Sequence, residues 1–485
     1  MSPVLDFRPA LFVIGILLVT LAIAMLAPFL VDLAVGNRDW QVFASSGLLT
    51  LFVGGVLMLT NRSPISHLTI RQTFILTAAS WLILTMFAAL PFLFSELEMT
   101  YTDAFFEAMS GITTTGSTVM TNLDRAPEGI LLWRALLQWL GGIGIIVMAV
   151  AVLPMLRVGG MQLFRVEAFD TLEKGLPRAG QIAAGIGGVY LGLTIIWWLG
   201  LWALGMGQFD AAVHAMTTIA TGGYSSSDGS IGFFNSRSIE IFIICGMLVG
   251  SVPFIFYLQF VRTGSYALLR DSQVRYFISI ASLSSCLITI WLWRTTEDFS
   301  FASAIKGVFN TVSIMTGTGY SADDYQTWGA FPLIILFFLM FVGGCAGSTS
   351  CGIKIFRFQV LGAIVRNQFL KMLHPHGVFT PHYNHRPIDN EIVLSVMNFF
   401  YLFMISFAVL ALTLGALGLD YITAISGAAT AICNVGPAMG PIIGPTGTFE
   451  PLPDAAKWVL SAGMLLGRLE LFTVLMLLFP AFWRN

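Results

Sequence analysis

The sequence predicts an all-α polytopic membrane protein: four parallel repeats of helix, re-entrant pore helix and helix in pseudo-fourfold symmetry around one pore, plus two N-terminal helices. Three observations carry this prediction. The chain is hydrophobic throughout, its apolar runs are regularly spaced, and a short amphipathic segment recurs four times before a glycine turn. Of 485 residues, 56% are hydrophobic and 10% charged, with a mean hydropathy of +0.82, too little polar surface for a water-soluble chain of this size. A net charge of −2 without any block of like charge points away from a nucleic-acid partner.

Taken in order, the first apolar run, Leu11 to Val31, is long enough to cross a bilayer, lacks a small-residue cleavage motif and is followed by a second apolar run. It reads as a retained helix and not as a signal peptide. Spans are expected at 10–31, 41–60, 70–95, 130–156, 180–206, 237–262, 275–294, 328–345, 390–417 and 456–482, each near the ~20 residues a crossing helix needs. Between the members of the last four pairs lie shorter segments at 103–115, 210–222, 305–318 and 421–434. Aligned without gaps, they read DAFFEAMSGITTTG ending at Gly116, DAAVHAMTTIATGG at Gly223, KGVFNTVSIMTGTG at Gly319 and TAISGAATAICNVG at Gly436. They are too short and too polar to cross. Non-helical backbone at membrane depth persists only where protein or a water-filled cavity satisfies it, so four such turns are expected to converge on one axis. The resulting division is a peripheral two-helix unit at 1–66 and pore repeats at 67–178, 179–272, 273–388 and 389–485.

Of the 24 Lys and Arg residues, seven fall on one side of this topology (Arg38, Arg125, Arg134, Arg237, Arg294, Lys306 and Lys457). Arg468 lies within a span, and all the others fall on the opposite side. Positive charge prefers the cytoplasm, so both termini are expected there and the four re-entrant segments enter from outside.

A cation sheds water only where a ring of oxygens replaces its shell, and glycine lets successive backbone carbonyls face an axis. The ring is expected from Thr114, Thr115 and Gly116; Thr221, Gly222 and Gly223; Gly317, Thr318 and Gly319; and Asn434, Val435 and Gly436. No Asp or Glu occupies these turns, and a neutral carbonyl ring suits a monovalent cation, most simply potassium, as the transported ion. No enzyme cofactor is expected.

The stretch GGCAGSTSCG (Gly343, Gly344, Cys345, Ala346, Gly347, Ser348, Thr349, Ser350, Cys351, Gly352) interrupts the second helix of repeat three. Its low helix propensity predicts a flexible loop. The residues alone leave open an intramembrane gate, a helix-packing interface or an ordinary cytoplasmic turn. Arg468 lies centrally in the last expected span, with Glu470 two residues on. A charge at that depth costs ~2.5–3.5 kcal/mol on insertion scales. Residues two apart point in different directions on a helix, so Glu470 is a poor partner, and Arg468 is expected to face the pore near 343–352 as an electrostatic barrier.

Other features have plainer readings. The five cysteines are odd in number and sit in or beside apolar segments, which implies neither a disulfide framework nor a zinc site. His374, His376, His382 and His385 cluster in a Pro-rich connection without Cys or carboxylate at metal spacing. His214, inside the second short segment, reads as structural, because no nucleophile motif or orienting carboxylate accompanies it. GGIG at Gly141 to Gly144 lies mid-span and reads as close helix packing.

The segments TTTGST, ATGGYS, TGTGYS and CNVGPAMG, with two extra N-terminal helices, resemble the bacterial Trk/Ktr and plant HKT superfamily of potassium transporters, most closely its TrkH branch. The resemblance covers essentially the whole chain. It implies potassium uptake across the bacterial cytoplasmic membrane, since glycine in all four turns goes with potassium selectivity and serine in the first with sodium. It implies that 343–352 is an intramembrane gating loop and that Arg468 matches a basic pore residue. It also implies a homodimer working with a cytosolic TrkA-type nucleotide-binding ring, for which the basic connections 157–178 and 354–386 are the exposed docking candidates. The fourth turn departs from the Thr-Gly pattern at Asn434 and Val435, so less regular coordination is expected there. A sodium- or proton-coupled secondary transporter using the same central site is the alternative; the parallel repeats and carboxylate-free turns argue against it.

Overall fold

The computed structural model describes residues 6–62, 69–151, 179–296, 300–384 and 386–484. The expected connection 157–178, the end of the 130–156 span and His385 lie outside the described residues. The chain is mostly helical, and among the described residues the only strands are the two-residue pair His382–Tyr383 and Arg386–Pro387. It is a multi-pass membrane protein. Among the described residues, seven helical segments are long and apolar enough to cross, and two further pairs qualify if each bent pair is one span. Large apolar side chains such as Phe52, Trp293 and Leu412 lie exposed on the outside, as a lipid-facing surface requires.

Among the described residues, three of the expected spans are sharply bent or interrupted. The 237–262 span bends by 91° between Arg237–Gly250 and Phe254–Thr263. Pro253 opens the second piece and, lacking an N–H, cannot continue the first. The 456–482 span bends by 114° after Arg468, at Glu470, whose φ is +59°. The 328–345 span is helical only over Ala330–Phe341. Its backbone then runs irregularly to Lys354 and resumes as a 19-residue helix, Ile355–Leu373, over much of what reads as a loop in the sequence.

The four short helices are Tyr101–Ile112, Gln208–Ile219, Phe301–Thr316 and Tyr421–Cys433. Each packs against a helix belonging to the stretch before it: Gln208–Ile219 on Glu128–Ala151, Phe301–Thr316 on Arg237–Gly250, and Tyr421–Cys433 on Ala330–Phe341. The cycle closes when Asp454–Arg468, near the end of the chain, packs on Tyr101–Ile112 near its start. Outside this ring lie the N-terminal segment Arg8–Val35 and the helix Trp40–Thr60, which cross where Gly15 and Gly54 meet. A methyl group on Gly15 would stand 2.8 Å from Gly54 O, so the small residues set the close approach.

Candidate functional site: a ring of four turns and the segment beneath it

All four short helices end in the same way. The backbone N–H groups of Thr114, Thr221, Gly317 and Asn434 each donate three residues back, and those of Thr115, Gly222, Thr318 and Val435 each donate five residues back, the Schellman pattern. The first member of each turn is left-handed, at φ +53°, +48°, +70° and +52°, and so is the glycine two residues on: Gly116 at +88°, Gly223 at +80°, Gly319 at +81° and Gly436 at +108°. Gly317 and Asn434 suit the left-handed cap; β-branched Thr114 and Thr221 do not, and their strain is held by the surrounding structure. The gapless alignment therefore corresponds to one backbone conformation repeated four times.

The turns also meet in order. A methyl group built on Gly116 would come within 3.0 Å of Gly222 O, one on Gly223 of Thr318 O, one on Gly319 of Val435 O and one on Gly436 of Thr115 O. The glycine of each turn thus abuts the middle carbonyl of the next, and the fourth returns to the first. Here glycine is needed twice over, for its φ and for the close approach. All four glycines open onto one vestibule of about 330 Å³, also lined by Asp228 and Ser321.

Buried side chains brace the ring from behind. Glu107 accepts from Val119 N at 3.0 Å and pairs with Arg134 Nε at 2.8 Å, both side chains nearly inaccessible. Arg134 also donates to Ser225 O at 2.9 Å and lies 4.0 Å from the centre of the Tyr224 ring. Gln138, one helical turn on, donates to Gly222 O at 2.6 Å. Asn434 Nδ2 donates to Thr115 Oγ1 at 2.8 Å, tying the fourth turn to the first. His214 hydrogen-bonds Ser225 Oγ at 3.0 Å and the Asp210 carbonyl at 2.8 Å; its orienting group is a backbone carbonyl, and it holds the second turn. Gly141 abuts Ile112 O, and Gly142 lies against Ala220, which is the close packing expected of GGIG.

Glu107, Arg134 and Gln138 went unread in the sequence, where Arg134 counts among the external basic residues. The available signal was their spacing inside apolar helices: Arg134 and Gln138 lie four apart within LLWRALLQWL, and polar groups at that depth mark an interior face. Lys457, also counted as external, is buried and pairs with Asp103 at 2.6 Å.

The segment Gly343–Gly352 is irregular, as its composition predicts, but fixed in place and not a loose loop. Val342 and Ile353 form a parallel bridge across its base. Cys345 N donates to Ser251 O at 3.0 Å, Thr349 N to Gly250 O at 3.2 Å and Phe254 N to Gly347 O at 3.0 Å, so the break at Ser251–Pro253 provides its seat. Ala346 N donates to Gln273 Oε1 at 3.3 Å, Ser348 Oγ to Cys345 O at 2.5 Å and Gly344 N to Ser350 Oγ at 2.9 Å. Three turns rest on it: Thr221 Oγ1 donates to Thr349 Oγ1 at 3.1 Å, Thr114 Oγ1 lies 3.6 Å from Cys351 Sγ, and Ser350 Oγ donates to Thr316 O at 2.5 Å. Gly352, at φ +72°, lies against Gly343.

Arg468 stands where the last span breaks. It is 3% exposed and donates to Thr349 O at 3.2 Å, Gly141 O at 3.3 Å and Cys351 Sγ. Glu470 instead takes Arg357 at 2.5 Å, while Lys354 Nζ donates to Ser350 O. Arg468, Lys354, Cys351 and Glu470 line a cavity of about 30 Å³, large enough for about one water.

Four turns of like backbone conformation closed into a ring, buried in a multi-pass helical protein with a polar segment and a buried arginine against them, define a membrane protein built around that ring. The chain belongs to the TrkH family of cation transport proteins, whose family model matches residues 39–484. It is 45% identical over 482 residues to the Trk system potassium uptake protein TrkI of Halomonas elongata, covering 99% of this chain and 97% of that one. It is 35% identical to the Trk system potassium uptake protein TrkH of Escherichia coli strain K12, covering 99% and 100%. The crystal structure of the potassium transporter TrkH from Vibrio parahaemolyticus superposes with a TM-score of 0.90 at 35% identity, covering 99% of this chain and 100% of that one.

Proposed function

We propose that this chain takes up potassium across the cytoplasmic membrane through a selectivity filter made of the four turns, in an architecture of four parallel helix, pore-helix, helix repeats. The observation that carries the reading is the closed cycle in which each turn's glycine abuts the next turn's middle carbonyl. Such a ring presents backbone oxygens, rather than charged side chains, to a partly dehydrated monovalent cation. The segment Gly343–Gly352 is then the gate and Arg468 the charge that raises the barrier beneath the filter. Both termini lie in the cytoplasm, by the distribution of basic residues. A homodimer and a cytosolic TrkA-type nucleotide-binding ring complete the proposal, resting on family membership.

The test is ion flux into proteoliposomes holding the purified chain, comparing potassium, rubidium, sodium and lithium, with Gly116→Ser as the paired variant. Potassium and rubidium should pass well ahead of sodium and lithium, and the serine should erode that preference. Flux that requires an opposing proton or sodium gradient would instead establish a coupled transporter.

A further inference from the structure

The four turns are not braced alike. In the first, third and fourth, the bracing side chain belongs to the short helix that leads into the turn: Glu107 holds Val119 N, Ser313 Oγ donates to Tyr320 O at 2.7 Å, and Thr430 both donates to Gly436 O at 3.1 Å and accepts from Gly436 N at 3.0 Å. Neighbouring turns also reach the first and fourth, through Asn434 Nδ2 on Thr115 Oγ1 and Ser117 Oγ on Gly436 O, but the second turn has a brace on its middle carbonyl, from a helix of the preceding stretch. Gln138, on Glu128–Ala151 and fully buried, donates through Nε2 to Gly222 O at 2.6 Å and accepts through Oε1 from Tyr224 N at 3.0 Å. One side-chain amide therefore bridges the peptides on both sides of Gly223. Gly222 leaves the space for it, since a methyl group there would come within 3.0 Å of Gln138 Cδ.

Gly222 O is one of the four middle carbonyls of the ring. Among the described residues, no side-chain donor reaches the equivalent oxygens of Thr115, Thr318 or Val435, so this carbonyl alone is held from behind. A carbonyl oxygen has two lone pairs, and a buried donor on one fixes its position and lowers the electron density the other offers to a cation. A small cation demands that the ring contract, and an oxygen tethered at 2.6 Å resists being drawn inward.

We propose that Gln138 is a specificity-determining positioning residue: by tethering the Gly222 carbonyl it opposes contraction of the ring around ions smaller than potassium. The proposal rests on the reading of the four turns as the filter. Without the tether, Gly222 O relaxes toward the axis, and sodium and lithium gain ligands that potassium does not need. Selectivity then falls because sodium passage rises, whereas a merely loosened scaffold would depress all fluxes together.

Gln138→Leu in proteoliposomes tests this, with potassium and sodium uptake measured separately beside wild type and Gly116→Ser. The potassium-to-sodium flux ratio is expected to fall about tenfold, through increased sodium uptake, on the scale of one lost buried hydrogen bond. Should the leucine variant not purify as a monodisperse species, Gln138→Asn, one methylene too short to reach both peptides, serves the same comparison. A wild-type ratio in the Gln138 variant with a reduced ratio in Gly116→Ser overturns the tether and leaves the filter standing. If neither variant moves the ratio, both readings fall.

Discussion

Thr114 and Thr221 hold left-handed backbone, at φ +53° and +48°, where a β-branched residue pays about 1–3 kcal/mol in strain. Both are fully buried, and both touch the Gly343–Gly352 segment through their hydroxyls. Glycine would relieve the strain at either place, but it would remove the hydroxyl that meets the segment. Arg468 works at the same spot with a full charge. On the proposed reading its guanidinium both repels cations below the ring and pins the segment at Thr349 O. Arg468→Ala is therefore expected to raise basal potassium flux on the order of tenfold, equal to about 1.4 kcal/mol of barrier. Arg468→Lys, which keeps the charge but cannot reproduce the planar fork, should fall between the two. Flux at matched reconstitution levels checks this, and equal rates for all three proteins would remove Arg468 from gating.

At the scale of elements, the short helices must start as sharply as they stop. Thr100 caps Asp103 N, Ser300 caps Ser303 N and Asp420 caps Thr423 N, each by accepting from the first turn. Hydrogen bonding from Thr423, whose N–H donates to Asp420 Oδ2 at 3.1 Å, holds the Asp420 carboxyl below its ordinary value of 3.8. A depressed carboxylate contributes stability that is fully present above the unfolded value and lost as pH falls through the folded one. Asp420→Ala should therefore lower stability by about 1 kcal/mol near neutral pH. The gap between variant and wild type should close as pH drops below 3.8, which thermal melts in detergent across that range would record. A gap that persists at low pH would assign the effect to packing instead of the cap.

The elements also show how far the sequence could be read. The four turns were legible because their constraint is local: a left-handed cap and a close approach call for glycine in the same register each time. The segment Gly343–Gly352 was legible by composition. The bends were not. Pro253 was a visible signal overridden by the continuous apolar run around it, whereas the bend after Arg468 falls in GRLEL, which has no breaker at Glu470. It is fixed by tertiary contacts, Glu470 to Arg357 and Arg468 to Thr349 O, with partners more than a hundred residues away. The buried pair Glu107–Arg134 escaped for the same reason, since neither residue announces its partner.

At the scale of the whole molecule, the ring must close between segments more than three hundred residues apart. The seam is made by Asn434 Nδ2 on Thr115, Ser117 Oγ on Gly436 O at 2.8 Å and Phe449 N on Thr118 O at 2.8 Å. Beside these, Lys457 meets Asp103 at 2.6 Å with side chains 5% and 18% exposed, and the Trp458 ring lies tilted against Phe105, their centroids 4.6 Å apart. Chain connectivity does not enforce this seam, so its hydrogen bonds, ion pair and ring contact do. Removing either member of a largely desolvated pair strands the other's charge, which costs more than losing an exposed pair. A double-mutant cycle on Asp103→Ala and Lys457→Ala should give a coupling of about 1–2 kcal/mol in the thermal stability of the detergent-solubilised protein. The same cycle on Lys306 and Asp323, 3.8 Å apart and 33% and 43% exposed, should give a few tenths at most. Equal couplings for the two pairs would mean that the seam closes through its backbone and hydroxyl contacts alone, with the Asp103–Lys457 ion pair a bystander.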